Sequence, residues 1–270
     1  MSAVDFEAFV NRLATLSGET IMPFFRTTIA AEDKAHGGAF DPVTEADRSA
    51  EIVMRRMIQN TFPDHGIIGE EFGAENPQAE FVWVIDPIDG TKSFICGFPT
   101  WGTLIGLLHY GRPCFGMMHQ PFSRERFIGD GSKAFWRGPV RAAAGQTDGE
   151  EKRRLTTRSC PTLAQATLMT TSPSLIAPQR LADFHRIESR VQLSRYGGDC
   201  YAYCALAAGH VDLVVESDLK PYDIVALIPI IKGAGGVVTT WEGGDPTAGG
   251  DIVACGDPAL HRIALDVLAG

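Results

Sequence analysis

The chain has 270 residues, of which 44% are hydrophobic and 21% are charged, and its formal net charge is −9. This composition is ordinary for a globular protein and excludes a low-complexity chain. The acidic balance argues against nucleic acid as a partner, because phosphate backbones are bound by basic surfaces, and it favours metal cations or a positively charged substrate.

Apolar residues recur at helical spacing from residue 6, which predicts a first helix that runs to about Phe25. Residues 27–43 are predicted to be a loop or a short hairpin tip. A second helix is predicted from Thr44 to just before Pro63. The pattern then changes to short strands, which are expected at 66–69, 81–85, 104–108 and 114–118, with a hairpin between the last two.

The polar, small-residue run 141–154 predicts a linker between an N-terminal half, 1–140, and a C-terminal half, 155–270. The C-terminal half alternates between strand and helix patterns. Strands are expected at 168–171, 211–215, 235–240 and 251–254, and helices at 178–190, 199–208 and 223–232. Pro229 should bend or loosen the last of these helices. The mixture indicates α/β or α+β layers.

Cysteine usage and the N-terminus indicate the compartment. Six cysteines occur singly, without a CxxC pair, and are predicted to be reduced and mostly buried. The opening stretch MSAVDFEAFVNRLA has early acids and no long apolar core, unlike a signal peptide. No segment approaches the ~20 apolar residues of a membrane span. We therefore expect a cytoplasmic protein with no membrane partner.

Four groups of carboxylates lie where apolar runs end or where helices begin. They are Asp47, Glu70 with Glu71, Asp86 with Asp89, and Asp223. Single acids at a helix start are often caps, and capping is the alternative for Asp47 and Asp223. Asp86 and Asp89 are like charges held close by a turn, so they require a nearby cation unless the turn is simply solvated.

The segment DPIDGT at residues 86–91 combines ligands for a cation and an anion. Pro87 fixes the backbone and removes one N–H, which leaves the Ile88 carbonyl free to point the same way as the two carboxylates. Two carboxylates and a carbonyl suit a hard ion such as Mg²⁺. Gly90 and Thr91 offer backbone N–H groups where a helix could begin, so a phosphate ester fits beside the ion.

Residues 86–94, preceded by IGEE at 68–71 and followed by PYDIVA at 221–226, resemble the inositol monophosphatase family of metal-dependent phosphatases. The resemblance extends from about Ala8 to Asp257. It implies a layered α/β (α+β) sandwich of the αβαβα, sugar-phosphatase-like type, with the site between the two halves. Family members are commonly homodimers, although nothing in this sequence independently indicates an interface.

The resemblance also implies two or three Mg²⁺ ions per site. Glu70, Asp86 and the Ile88 carbonyl would hold the first ion. Asp86, Asp89 and Asp223 would hold the second, with Asp86 bridging the two.

A third, weaker ion is expected near Glu70 and Asp47, with Lys34 nearby. The catalytic residues implied by the family are Glu70, Thr91 and Asp47: Glu70 and Thr91 orient the attacking water, and the phosphate lies against the N–H groups of Gly90 and Thr91. No phosphoenzyme is required.

Substrate choice is expected to depend on residues before the last aspartate. Asp199 lies at a helix start and Glu216 at a strand end, and two acids there suit a leaving group with a cationic amine. The alternative is that Asp199 caps its helix and Glu216 bonds a hydroxyl. Arg195 is expected in the same pocket, where it would meet the phosphate or hold Asp199, and Asp223 would also contact substrate.

Three runs, WGTLI at 101–105, GDCYAY at 198–203 and LKPYDIVALIP at 219–229, resemble the histidinol-phosphate phosphatase branch of the family. The prediction is a phosphomonoesterase acting on histidinol phosphate in histidine biosynthesis. The alternatives are an inositol-1-monophosphatase or broader small-molecule phosphatase, and, in a different class, a catalytically silent binding or regulatory homologue. The intact set of acids disfavours the silent homologue.

Overall fold

Helices packed on two main sheets make up the described parts of the chain, which are residues 6–28, 32–33, 42–140 and 149–270 of a computed structural model. The helices are α1 (Phe6–Ile21), α2 (Glu45–Thr61), α3 (Thr91–Ile95), α4 (Leu181–Glu188), α5 (Asp199–Ala207), α6 (Pro221–Ile224), α7 (Leu227–Gly233) and α8 (Pro258–Ala269).

The strands are β1 (Glu32–Asp33), β2 (Pro42–Val43), β3 (Gly66–Gly69), β4 (Gly73–Glu75), β5 (Phe81–Asp89), β6 (Gly102–His109), β7 (Arg112–Gln120), β8 (Glu125–Gly129), β9 (Ala134–Pro139), β10 (Glu150–Arg154), β11 (Thr167–Thr170), β12 (Leu193–Tyr196), β13 (Leu213–Leu219), β14 (Val237–Thr240) and β15 (Gly250–Cys255). Short 3₁₀ turns occur at Leu163–Gln165 and Pro173–Leu175.

The first main sheet has the order β10-β9-β8-β7-β6-β5-β3-β4 and is antiparallel except where β3 runs parallel to β5. The second has the order β12-β11-β13-β15-β14, with β11 parallel to both of its neighbours. β1 and β2 pair separately as a small hairpin, in the region predicted to be a loop or hairpin tip. Lys34 lies outside the described residues.

Successive residues of the strands point to opposite faces, and this alternation builds the layers. In β6, Ile105 packs with α1 and α2, whereas Leu104 packs with α5 and α7. In β13, Val214 faces α5 and α7 from the other side, and Val215 packs against α4 and α8. The order of layers is therefore helices, sheet, helices, sheet, helices, which confirms the predicted αβαβα sandwich.

Several boundaries differ from the predictions. α1 ends at Ile21 rather than near Phe25, and the region predicted as one helix over 223–232 is divided into α6 and α7. Pro229 has no N–H to donate to the carbonyl of Val225, and the break between α6 and α7 lies at Val225 and Ala226. Within the predicted linker, residues 150–154 form β10, which pairs with β9; residues 141–148 lie outside the described residues.

Among the helices of the described ranges, none is long and apolar enough to cross a membrane. The cytoplasmic location stays a prediction. All six cysteines fall within the described ranges and are free, and four of them are buried.

Candidate active site

The end of β5 carries a bulge that brings two carboxylates to one side. Asp86 pairs with Leu104 of β6 and Asp89 pairs with Gly102, so β5 holds one more residue than β6 between these pairs. In a regular strand, residues three apart point to opposite faces, and the extra residue cancels that alternation. The Thr103 hydroxyl donates to the Pro87 carbonyl at 2.8 Å, which holds the bulge in place.

Asp223, from the start of α6, completes a cluster with Asp86 and Asp89. One carboxylate oxygen from each residue lies within 4.8 Å of the others. Burial raises the pKa of all three acids, and repulsion from neighbouring carboxylates raises it further. Asp223 repels both Asp86 and Asp89, and Glu70 repels Asp86 and Asp223. The pKa of Asp223 is raised to about 7. A divalent cation among these oxygens would relieve the repulsion, so the donor set fits a hard ion such as Mg²⁺.

Glu70 reaches this cluster because β3 and β5 are parallel. Gly69 pairs with Ile85, so the next residues along, Glu70 and Asp86, are neighbours, and their side chains share a hydrogen bond. A recess of about 160 Å³ opens here. Its lining includes Glu70, Asp86, Ile88, Asp89, Gly90, Thr91, Lys92, Asp199 and Asp223.

Asp47 and Asp223 both take part in helix capping. The Thr44 N–H and hydroxyl both donate to Asp47 Oδ2, at 2.9 and 2.5 Å, and the Lys220 N–H donates to Asp223 Oδ2 at 2.6 Å. The capping interpretation is therefore right for both residues. Asp47 Oδ1 lies 3.5 Å from the Thr91 hydroxyl, and that hydroxyl donates to the Ile88 carbonyl at 3.1 Å.

Gly90 joins the bulge to α3 with a φ of 86°, in the left-handed region that favours glycine. A Cβ atom at this position would lie 2.8 Å from Cγ of Asp199. Only glycine therefore lets the backbone at the start of α3 approach the second half of the chain so closely.

Asp199 holds the two halves together from the start of α5. Its Oδ2 accepts hydrogen bonds from the hydroxyls of Ser93 and Thr100, the latter at 3.3 Å. Burial raises the pKa of Asp199, and these hydroxyls and the positive charge of Lys92 oppose that rise. Among the described residues, no side chain accepts a capping hydrogen bond at the start of α5, so the alternative that Asp199 caps its helix is wrong.

Glu216 lies in a second recess of about 160 Å³ that adjoins the first and shares Asp89, Asp199 and Asp223 with it. Its carboxylate accepts from the Thr170 hydroxyl at 3.0 Å, and from the N–H and hydroxyl of Thr171 at 2.6 and 2.9 Å. Glu216 thus does bond hydroxyls, as the alternative expected, and it also lines the recess. Burial raises its pKa to about 7.

Arg195 does not join this group. It is exposed on the edge strand β12 and is not among the described residues that line either recess. The sequence analysis also missed three hydroxyl residues of the site, Ser93, Thr100 and Thr171. Ser93 stood within the recognised motif, but no local pattern links Thr100 to an acid 99 positions away.

Comparison with known proteins identifies the family. A model of the inositol monophosphatase family matches residues 4–268. The chain belongs to this family. An inositol monophosphatase from Zymomonas mobilis has a TM-score of 0.82 and 37% identity, with 99% of this chain and 100% of that chain covered. The family consists of phosphatases that are generally metal-dependent, in keeping with the acidic cluster.

Two curated relatives are phosphatases of differing scope. The bifunctional phosphatase IMPL2, chloroplastic, of Arabidopsis thaliana is 43% identical over 97% of this chain and 75% of its own length. A histidinol-phosphatase of Mycobacterium tuberculosis is 35% identical over 79% of each chain. This family member is therefore similar to proteins named for more than one phosphate ester.

Proposed function

We propose that this protein is a Mg²⁺-dependent phosphomonoesterase that hydrolyses L-histidinol phosphate to L-histidinol and phosphate, a step of histidine biosynthesis. The observation that carries the proposal is the pair of acids, Asp199 and Glu216, that line the recess beside the metal-type cluster. Two carboxylates suit a leaving group with a cationic amine, which a neutral polyol lacks.

The first recess has the groups that phosphate ester hydrolysis requires. Glu70, Asp86 and the Ile88 carbonyl would hold one ion, and Asp86, Asp89 and Asp223 a second. When bound, Mg²⁺ would acidify a water molecule and neutralise charge on the phosphoryl group and on the leaving oxygen.

The protein groups around the reacting phosphate do the positioning. The carboxylate of Glu70 and the hydroxyl of Thr91 receive and orient the attacking water. The N–H groups of Gly90 and Thr91, at the start of α3, donate to the phosphate oxygens. Asp47 fixes the Thr91 hydroxyl from the side of α2, which is the positioning role proposed for it, and a third ion near Asp47 and Glu70 belongs to the same proposal.

The second recess accepts the leaving group. Histidinol carries an ammonium group and an imidazole ring, both of which can donate hydrogen bonds to carboxylates. Asp199 is held by two hydroxyls and Glu216 by two threonines, so neither acid has to reorganise when a cation arrives. An opposite charge beside them would restore the ionised state that burial disfavours.

The relatives support this proposal through their names, since one is a histidinol-phosphatase and another a bifunctional phosphatase. The second candidate is an inositol monophosphatase, which the similarity to the Zymomonas mobilis protein favours. A catalytically silent homologue is disfavoured because every expected acid of the metal cluster is present. A homodimer, as the family resemblance implies, and a cytoplasmic location complete the proposal.

The test is phosphate release from L-histidinol phosphate, inositol-1-phosphate and an adenosine bisphosphate, compared by kcat/KM in Mg²⁺. We expect histidinol phosphate to be preferred. A tenfold or greater preference for inositol phosphate would overturn the assignment. Release from none of the three, with Mg²⁺ binding measured directly by calorimetry, would support the silent homologue.

A further inference from the structure

The hydroxyl of Tyr203 is a buried polar group that the fold leaves unpaired. Tyr203 lies on α5 and is 3% exposed. Its Oη is shielded from solvent and has no hydrogen-bond partner among the described residues. Folded proteins rarely leave a buried hydroxyl without a partner, so this atom calls for a ligand or a trapped water.

Tyr203 lines the second recess together with Asp89, Glu216 and Asp223. A phenol has an ordinary pKa of about 10 and keeps its proton at neutral pH. The hydroxyl of Tyr203 is therefore a hydrogen-bond donor on a residue that lines the recess.

Other hydroxyl donors at this recess are already engaged. The Thr171 hydroxyl donates to Glu216 at 2.9 Å, and the Ser217 hydroxyl donates to Asp251 at 2.6 Å. The acids of the recess are acceptors when ionised. A leaving group that presents an acceptor as well as donors thus finds its complementary O–H at Tyr203.

Imidazole is such a group, because its neutral ring has one N–H donor and one nitrogen acceptor. We infer that Tyr203 is a specificity-determining residue whose hydroxyl donates a hydrogen bond to the ring nitrogen acceptor of the leaving group. This inference rests on the proposed function. In this arrangement the carboxylates of Asp199 and Glu216 accept hydrogen bonds from the ammonium group and the ring N–H of the substrate. The hydroxyl of Tyr203 donates to the other ring nitrogen.

The test is Tyr203→Phe, which removes one oxygen from a side chain that otherwise packs in the core between the sheets. Two substrates form a matched pair: L-histidinol phosphate, and L-phenylalaninol phosphate, which keeps the ammonium and a ring but has no ring nitrogen. We expect kcat/KM for histidinol phosphate to fall about tenfold, which is the scale of one lost hydrogen bond. The value for phenylalaninol phosphate should stay within twofold of wild type.

Tyr201→Phe is the matched control, because Tyr201 lies on the same helix and its hydroxyl donates to Glu125 at 2.7 Å, outside both recesses. It should lower the melting temperature without changing the ratio between the two substrates. Tyr203→Phe should leave the melting temperature unchanged or raised, since it removes an unpaired polar group.

Equal losses on both substrates, or no loss on either, would overturn the role of Tyr203 while leaving the proposed function intact. A wild-type enzyme that prefers inositol phosphate over histidinol phosphate would overturn both. The two failures are therefore distinguished by the wild-type comparison alone.

Discussion

The backbone N–H of Cys200 donates to Asp89 Oδ2 at 2.7 Å, although the two residues are 111 positions apart. Through this bond the start of α5 holds an acid at the end of β5 that also belongs to the cluster with Asp86 and Asp223. The acidic cluster and the second recess are thus parts of one continuous structure.

Asp223→Asn should separate metal binding from stability. An asparagine can still cap α6 by accepting from the Lys220 N–H, but it cannot supply a charged ligand. We expect kcat to fall at least about 100-fold, and the rise in melting temperature on adding Mg²⁺ to shrink. The metal-free variant should be as stable as wild type or more stable, because repulsion among three buried acids is relieved.

Asp218→Asn is the control for that variant, because it removes the same charge from an exposed side chain nearby. It should leave both the activity and the Mg²⁺ response close to wild type. A Mg²⁺ response in Asp223→Asn equal to that of the control would contradict the role of the cluster.

Asp199→Asn should change which substrate is preferred. Asparagine tolerates the left-handed backbone at this position, where φ is 43°, so the change removes mainly the charge. We expect kcat/KM for histidinol phosphate to fall tenfold or more, and that for inositol-1-phosphate to change by less than about threefold. Parallel losses on both esters, measured by phosphate release, would show that Asp199 acts only as a bridge to Ser93 and Thr100.

Gly90→Ala should impair the site beyond its cost to the backbone. A left-handed backbone costs an L-residue about 1–2 kcal/mol, and here the new Cβ would also meet Asp199. Gly131→Ala is the matched control, since Gly131 has a φ of 83° but nothing within 4 Å of the added atom. Denaturant unfolding should show the backbone cost in both variants and a further loss of stability in Gly90→Ala from the contact with Asp199. Only Gly90→Ala should lose most of its activity. Retained activity in Gly90→Ala would contradict the close packing of α3 against α5.

His119 should make the folded state sensitive to acid. The imidazole is buried and donates from Nδ1 to the Glu125 carbonyl at 3.1 Å. Burial, with a smaller contribution from the charge of Arg126, lowers its pKa from 6.5 to about 4. As the pH falls, the unfolded state therefore binds a proton at this histidine before the folded state does. The free energy of unfolding should fall by on the order of 3 kcal/mol between pH 6.5 and pH 4.

The measurement is the free energy of unfolding between pH 7 and pH 4 for wild type, His119→Gln and His185→Gln. Removing His119 should flatten the pH dependence in that window. His185 is exposed, and its removal should leave the slope as in wild type. An unchanged slope in His119→Gln would show that other groups cause the acid sensitivity.

Local patterns predicted much of the architecture because they report burial directly. The apolar periodicity found α2, β3, β5 and the hairpin of β6 and β7, and the resemblance of three motifs predicted the five layers. Elements with weak patterns were missed, such as β10, whose five residues are all exposed and charged and which is ordered by pairing with β9.

Within the site, the sequence by itself determined which groups are present: a rigid DPIDGT segment with carboxylate oxygens and backbone N–H groups, which predicts ligands for a cation and for a phosphate. It could not decide how one residue serves two roles, as Asp223 does when it accepts the Lys220 N–H at the start of α6 and also belongs to the cluster with Asp86 and Asp89. Only the tertiary structure decided that Asp199 bonds Ser93 and Thr100 rather than its own helix, and that the Tyr203 hydroxyl has no partner in the described parts of the chain. The physical reason is that these partners come from distant parts of the chain, and packing of the layers, not local backbone preference, brings their atoms within hydrogen-bonding distance.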